Sequence, residues 1–174
     1  VGVAGGFVRG RNGISWQWQG RRVELDGVMK PVPIMGTASV VFAPPKSGAV
    51  KTEGTNMAVR RDALVASGGF DPAFRFFLAE TDLNLRLARA GWYAALAPMA
   101  QVHHGFAASA RRRSDRAPTD LFEIGASWAI FLKKHLSGTD AKERLVQVAR
   151  AERKRAWAWL QRGGLDAINV RDLL

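Results

Sequence analysis

The sequence has no cysteine, which excludes a disulfide framework and any thiolate metal site and leaves histidine and carboxylates to hold a metal. That composition fits a reducing compartment. The uncharged run from Pro31 to Pro45 is too short to span a bilayer and holds prolines at 31, 33, 44 and 45, so a soluble chain is expected. There is no initiator methionine, no signal-peptide pattern, no internal repeat and no low-complexity segment. The first residues already read as a buried strand, so a piece of a longer protein is expected.

What is present is ordinary globular composition: 174 residues, 47% hydrophobic and 24% charged, with 18 glycines and 7 prolines. The length suits about one domain of roughly 100–200 residues. Lys and Arg number 26 against 15 Asp and Glu, a net charge of +11. An excess of this size points to an anionic partner such as a nucleoside diphosphate, a nucleic acid or an anionic lipid, and by itself does not choose among them.

Val1 to Val8 reads as a strand in which Ala4, Gly5 and Gly6 allow close backbone approach. Arg9 to Gly13 forms a turn. Ile14, Trp16 and Trp18 alternate with polar residues, which predicts a hairpin whose Trp pair serves packing before it serves a ligand. Residues 27–50 read as loop, strand (Ala38–Phe42) and loop, punctuated by Pro and Gly. Gly54 to Arg61 leads through a turn or strand into a short helix from Asp62 to Ser67, stopped by Gly68-Gly69. A second helix covers Thr81 to Ala90, with Leu83, Leu87 and Ala90 on one face and Asn84 and Arg89 turned elsewhere. Trp92 to Leu96 reads as a short strand closed by Pro98. From Asp120 the pattern is helical: one helix to His135, a break at Ser137 to Asp140, and a second from Ala141 to Gln161 stopped by Gly163-Gly164. Two parts are expected, a mixed α/β part over residues 1–110 and a basic helical extension over 111–174.

Glu80-Thr81-Asp82 sets two carboxylates at a helix start, where the macrodipole and unpaired N–H groups favour negative charge whatever the function. Phe70, Phe74, Phe76 and Phe77 precede it. A carboxylate at the edge of such an apolar wall would gain proton affinity and suit general-base work. His103-His104 lies where strands of open α/β sheets end and ligands gather, and adjacent strand residues point to opposite faces, so one His at most reaches a given metal. Arg111-Arg112-Arg113 with Arg116 matches phosphate oxygens or is a solvated loop. Arg150, Arg153, Lys154 and Arg155 beside Trp157 and Trp159 read as a basic amphipathic helix that packs its Trp residues or lies on an anionic membrane.

Together these segments resemble the C-terminal, acceptor-side half of the family 2 glycosyltransferases, inverting enzymes with the GT-A fold, a Rossmann-like nucleotide-diphospho-sugar transferase domain. The resemblance rests on Gly54-Thr55-Asn56-Met57-Ala58-Val59-Arg60-Arg61, Gly68-Gly69-Phe70-Asp71, Glu80-Thr81-Asp82-Leu83, Arg86-Leu87, Gly91, Pro98 and His103. It implies an α/β fold and transfer of a sugar, hexosyl or deoxyhexosyl, from a nucleotide-sugar donor to a hydroxyl on a glycan or lipid-linked acceptor, in polysaccharide or cell-envelope synthesis. It implies Glu80 as base and Asp82 as acceptor-positioning or helix-anchoring acid. Where the family commonly has Glu-Asp, this chain has Ala79-Glu80. Gly54, Asn56, Met57, Phe70 and Asp71 would line the substrate, Arg112 and Arg113 would close on phosphate, and His103 would contact a divalent metal, Mn²⁺ or Mg²⁺.

The family's Asp-x-Asp motif does not occur here. The resemblance places that motif and the donor-binding units upstream of Val1, so the fragment alone is expected to be inactive and to leave apolar surface on its first strand uncovered. A cytoplasmic site, peripheral at the inner face of the plasma membrane, is expected. A nucleic-acid-binding or membrane-surface module is the alternative. Against nucleic acid stands the even spread of charge, with 12 Lys and Arg against 7 Asp and Glu in residues 1–110 and 14 against 8 in residues 111–174, and the lack of any recognition motif.

Overall fold

A computed structural model describes residues 1–75, 77–105, 107, 113 and 121–173. The chain divides into two units, one of residues 1–72 and 78–105 and the other of residues 73–77 and 106–174. The division falls at Gly105/Phe106 instead of residue 110, and a five-residue loop joins the second unit.

The first unit is mixed α/β. Its main sheet is built on β1 (Val3–Arg9), which lies parallel to β8 (Ala94–His103) along one edge. The other edge of β1 is shared by two short antiparallel partners, β7 (Met57–Val59) against Val3–Gly5 and β2 (Trp16–Trp18) against Val8–Arg9. Antiparallel β5 (Val40–Phe42) closes the far side of β8. A separate three-stranded sheet has the order β4 (Met29–Pro31), β3 (Arg21–Val23), β6 (Ala49–Lys51). With a strand on each edge, β1 buries Val3, Phe7 and Val8, which corrects the expectation of an uncovered apolar first strand.

Two short strands, β4 and β6, form where the sequence reads as loop on either side of the expected strand Ala38–Phe42, β6 running on to Lys51. Three residues are too few to show a period, and β6 (Ala49-Val50-Lys51) is buried throughout, so it offers no alternation to detect. Strand β8 also corrects the sequence reading, because Pro98 does not close it. The register against β1 slips between Gly6↔Ala97 and Phe7↔Gln101, leaving Pro98, Met99 and Ala100 as a bulge after which pairing resumes. A bulge is where a sheet tolerates a residue that cannot donate to the ladder.

Helix α1 (Arg61–Ala66) ends at Gly68 and Gly69, both at positive φ, as the Gly-Gly pair predicts. Helix α2 (Ala79–Arg89) lays Leu83 and Leu87 against Val3, Val50, Ala63, Ala94 and Leu96, the apolar core of this unit. Its stop at Gly91 (φ +86) is also as read.

The second unit contains α3 (Phe122–His135), α4 (Gly138–Gln161) and α5 (Ala167–Leu173). The break after α3 is tighter than read: Leu136 and Ser137 alone are extended, and α4 begins at Gly138. Ile124, Phe131 and Leu132 are buried on α3, as its apolar spacing predicts. Trp128 sits between Phe131 and Phe77, at centroid distances of 5.8 and 6.1 Å. Helix α5 follows the Gly163 turn and packs Val170 with Ala156 and Leu165, with Trp159 against them. Among the described residues no helix is long and apolar enough to cross a membrane.

Candidate active site around Glu80

Two glycines of β1 create the framework. A Cβ on Gly5 would lie 2.7 Å from Thr52 Cγ2, and one on Gly6 would collide with the Ala100 carbonyl and Asn56 Nδ2. The turn 52–56 therefore docks on bare backbone. Asn56 fixes it there, its Nδ2 donating to Ala100 O (2.8 Å) and Phe7 O (3.1 Å) across the register slip, while Gly6 N donates to Asn56 O (3.0 Å). Gln101 Nε2 donates to Pro98 O (3.0 Å) and holds the other side of the bulge. The chemistry of Asn56, read from the sequence as substrate-lining, is here spent on the sheet.

The same turn meets the start of α2. Thr52 N and Oγ1 both donate to Asn84 Oδ1 (3.2 and 3.1 Å), and Asn84 Nδ2 donates to Glu80 O (2.6 Å). Asn84 is thus turned away from the Leu83 and Leu87 face, as read, and is buried there. The cause is β6, which delivers Thr52 to a second face of the helix. Leu78, just before α2, is the only non-glycine among the described residues at positive φ (67°). Such a conformation costs a non-glycine residue energy and is held by its surroundings.

Glu80 keeps 22% of its side chain exposed, and its Oε1 lies 3.0 Å from Lys51 Nζ. Thr81 Oγ1 donates to the same oxygen at 3.3 Å. Lys51 is buried to 2% exposure and also pairs with Glu53 Oε2 at 3.0 Å, with its ammonium 4.2 Å from the centre of the Trp18 ring. A buried cation, which the sequence reading did not anticipate, lines the Glu80 carboxylate. Phe74 and Phe77 belong to the second unit, Phe70 is half exposed, and Phe76 lies outside the described residues.

Asp82 is fully buried and accepts from Arg86 Nε at 2.8 Å, one turn along α2. Arg86 in turn donates through Nη1 to Ser67 O and through Nη2 to Gly69 O (2.7 Å). This pair ties α2 to the end of α1, so of the two roles read for Asp82 the geometry supplies helix anchoring. Gly54 is exposed beside Glu80, where a Cβ would lie 3.6 Å from the Glu80 Cβ and Cγ. Met57 packs on the core from β7, and Asp71 is half-buried.

His103 ends β8 opposite Arg9 and is exposed, with Gly13 against its ring. His104 Nδ1 lies 3.2 Å from Gln17 Oε1. Among the described residues no group of three or more His, Asp or Glu side chains is placed to hold a metal ion. Arg113 is exposed, and Arg112 lies outside the described residues.

Sequence reading missed Lys51, Thr52, Glu53 and Asn84. The one available signal was Lys51-Thr52-Glu53 immediately before the Gly54 turn, a charge pair at a strand end.

No family model matches the chain, and no solved structure matches it. Over 59 residues it is 39% identical to the N-acetylglucosaminyl-diphospho-decaprenol L-rhamnosyltransferase of two strains of Mycobacterium tuberculosis. The match covers 34% of this chain and 19% of the relative, so the chain spans about a fifth of the length of the curated relatives it matches. Over that stretch the chain is related to a glycosyltransferase.

Proposed function

We propose that the chain carries the acceptor-side part of an inverting glycosyltransferase of family 2 type with a GT-A fold, acting in cell-envelope glycan synthesis. The observation that carries this reading is the Glu80 carboxylate: partly exposed in the first turn of α2, held through Oε1 by Lys51, with Oε2 unbonded among the described residues. The local match to a rhamnosyltransferase supports the same reading.

In this reading Glu80 accepts the proton of an acceptor hydroxyl as its oxygen bonds to the anomeric carbon of the donor sugar. The bond from that carbon to the diphosphate breaks, the nucleoside diphosphate departs, and the configuration inverts. General-base catalysis of this kind contributes roughly 10²–10⁴-fold. Arg112 and Arg113 would meet the diphosphate. The donor is a nucleotide-sugar and the acceptor a lipid-linked glycan. The basic face of α4, with Arg150, Arg153 and Lys154 exposed, would rest on the anionic inner face of the plasma membrane.

The test uses the protein expressed from its whole reading frame, supplied with radiolabelled nucleotide-sugars and polyprenyl-diphospho-N-acetylglucosamine. Glu80→Gln is expected to lower turnover by about 10³-fold while donor binding stays within twofold. Turnover retained in that variant would move the base elsewhere.

A further inference from the structure

Lys51 is a fully buried ammonium that the sugar-transfer chemistry does not itself use. Burying an unpaired cation costs several kcal/mol, so its partners must be fixed and well placed. Nζ donates hydrogen bonds to Glu53 Oε2 at 3.0 Å and Thr52 O at 3.4 Å, and is ion-paired with Glu80 Oε1 at 3.0 Å. The Trp18 face closes the remaining side at 4.2 Å. Two hydrogen bonds, an ion pair and an aromatic face thus hold the ammonium in place.

Glu80 is the least tied member of this cluster. Its backbone is pinned by Asn84, but its carboxylate, on a side chain with three rotatable bonds, is held by Lys51 and by the longer Thr81 bond. Gly54 offers no side chain to wall it in. Lys51 is the cation that pairs with this carboxylate.

We propose that Lys51 is a positioning residue for Glu80, clamping Oε1 so that Oε2 is presented to the acceptor hydroxyl. This rests on the reading of Glu80 as the base. Glu53 has a separate part. As a second carboxylate on the same ammonium, it holds Lys51 from the other side, and the three side chains together carry one net negative charge.

That charge count supplies the test. Lys51→Met alone leaves two partly buried carboxylates without their cation and can unfold the site. The double variant Lys51→Met/Glu53→Gln keeps the net charge of the cluster unchanged and removes only the clamp. On the 174-residue chain, NMR of the Glu80 γ-methylene, assigned by its loss in Glu80→Gln, is expected to show one rotamer in the wild type and averaging in the double variant at a closely similar Tm. In the whole-reading-frame protein, kcat of the double variant is expected to fall at least tenfold, with acceptor KM within twofold.

A single Glu80 rotamer in the folded double variant, or an unchanged kcat, overturns the clamp. If Glu80→Gln itself leaves turnover intact, the base assignment fails. The NMR result then still decides whether Lys51 orders Glu80.

Discussion

Both units carry a surplus of positive charge, 11 Lys and Arg against 7 Asp and Glu in the first and 15 against 8 in the second, and use it in different ways. In the first, ionised groups are folded into the structure: Lys51 lies under Glu53 and Glu80, and Asp82 is sealed against Arg86. In the second, Arg150, Arg153 and Lys154 stand exposed along α4, while an aromatic file of Phe77, Trp128, Phe131 and His135 provides the packing. The charge balance along the sequence cannot distinguish these arrangements. Buried, paired charge is tied to one geometry, and a group held in one geometry suits chemistry; exposed charge retains its side-chain freedom and contributes mainly a field.

This contrast is open to direct attack. The largest effect is expected from Asp82→Asn, which strands Arg86 and should lower the stability of the first unit by about 3–5 kcal/mol, read as a shift of the urea midpoint. Arg155→Ala removes the Arg155–Glu152 pair of the second unit, exposed on its arginine side, and should cost less than about 1 kcal/mol. Comparable losses would mean that the two sets of charges are not used differently.

Glycine substitution sharpens the same difference. Gly6→Ala drives a Cβ into the Ala100 carbonyl and Asn56 and should destabilise the first unit by about 3 kcal/mol. Gly125→Ala, inside α3 with nothing within 4 Å of the new carbon, should stabilise the second by about 0.5–1 kcal/mol. Thermal unfolding of the two variants should therefore move in opposite directions.

The smallest effect concerns Glu152, the half-buried carboxylate of α4. Burial pushes its pKa up, and Arg155 only partly offsets this. The folded state therefore holds the proton more tightly than the unfolded chain. The stability this proton provides is complete below the ordinary carboxyl range and is lost as pH rises through the raised value. Glu152→Gln should accordingly raise Tm at pH 8 and leave it unchanged near pH 3; a gain of equal size at both would assign the effect to packing.

The helices and their ends were legible in the sequence because their signals are local. Leu83 and Leu87 share a face, Gly68-Gly69 and Gly91 stop helices by adopting positive φ, and Ile124, Phe131 and Leu132 repeat at helical spacing. The hairpin of Trp16 and Trp18 was equally plain. The short strands were not: Arg21–Val23, Met29–Pro31 and Ala49–Lys51 are each below the length at which a two-residue period can be recognised. Pro98 misled for a related reason. Its effect as a strand terminator is local, whereas its accommodation in a bulge depends on Gly6 and Asn56, both remote in sequence.

For the site, Glu80 and its place at a helix start could be read directly from the residues; its surroundings could not. Glu80 and Lys51 are 29 positions apart, and nothing in either neighbourhood announces the other. The sequence by itself determined the two-part organisation, the acidic start of α2 and the glycines that bring the backbone of β1 close to its neighbours. Tertiary structure decided that Asp82 anchors a helix, that Asn56 secures a bulge, and that Glu80 faces a buried ammonium. The physical reason is that helix periodicity and glycine φ preference act between near neighbours in the chain, whereas the environment of a charge is set by whatever the fold packs beside it.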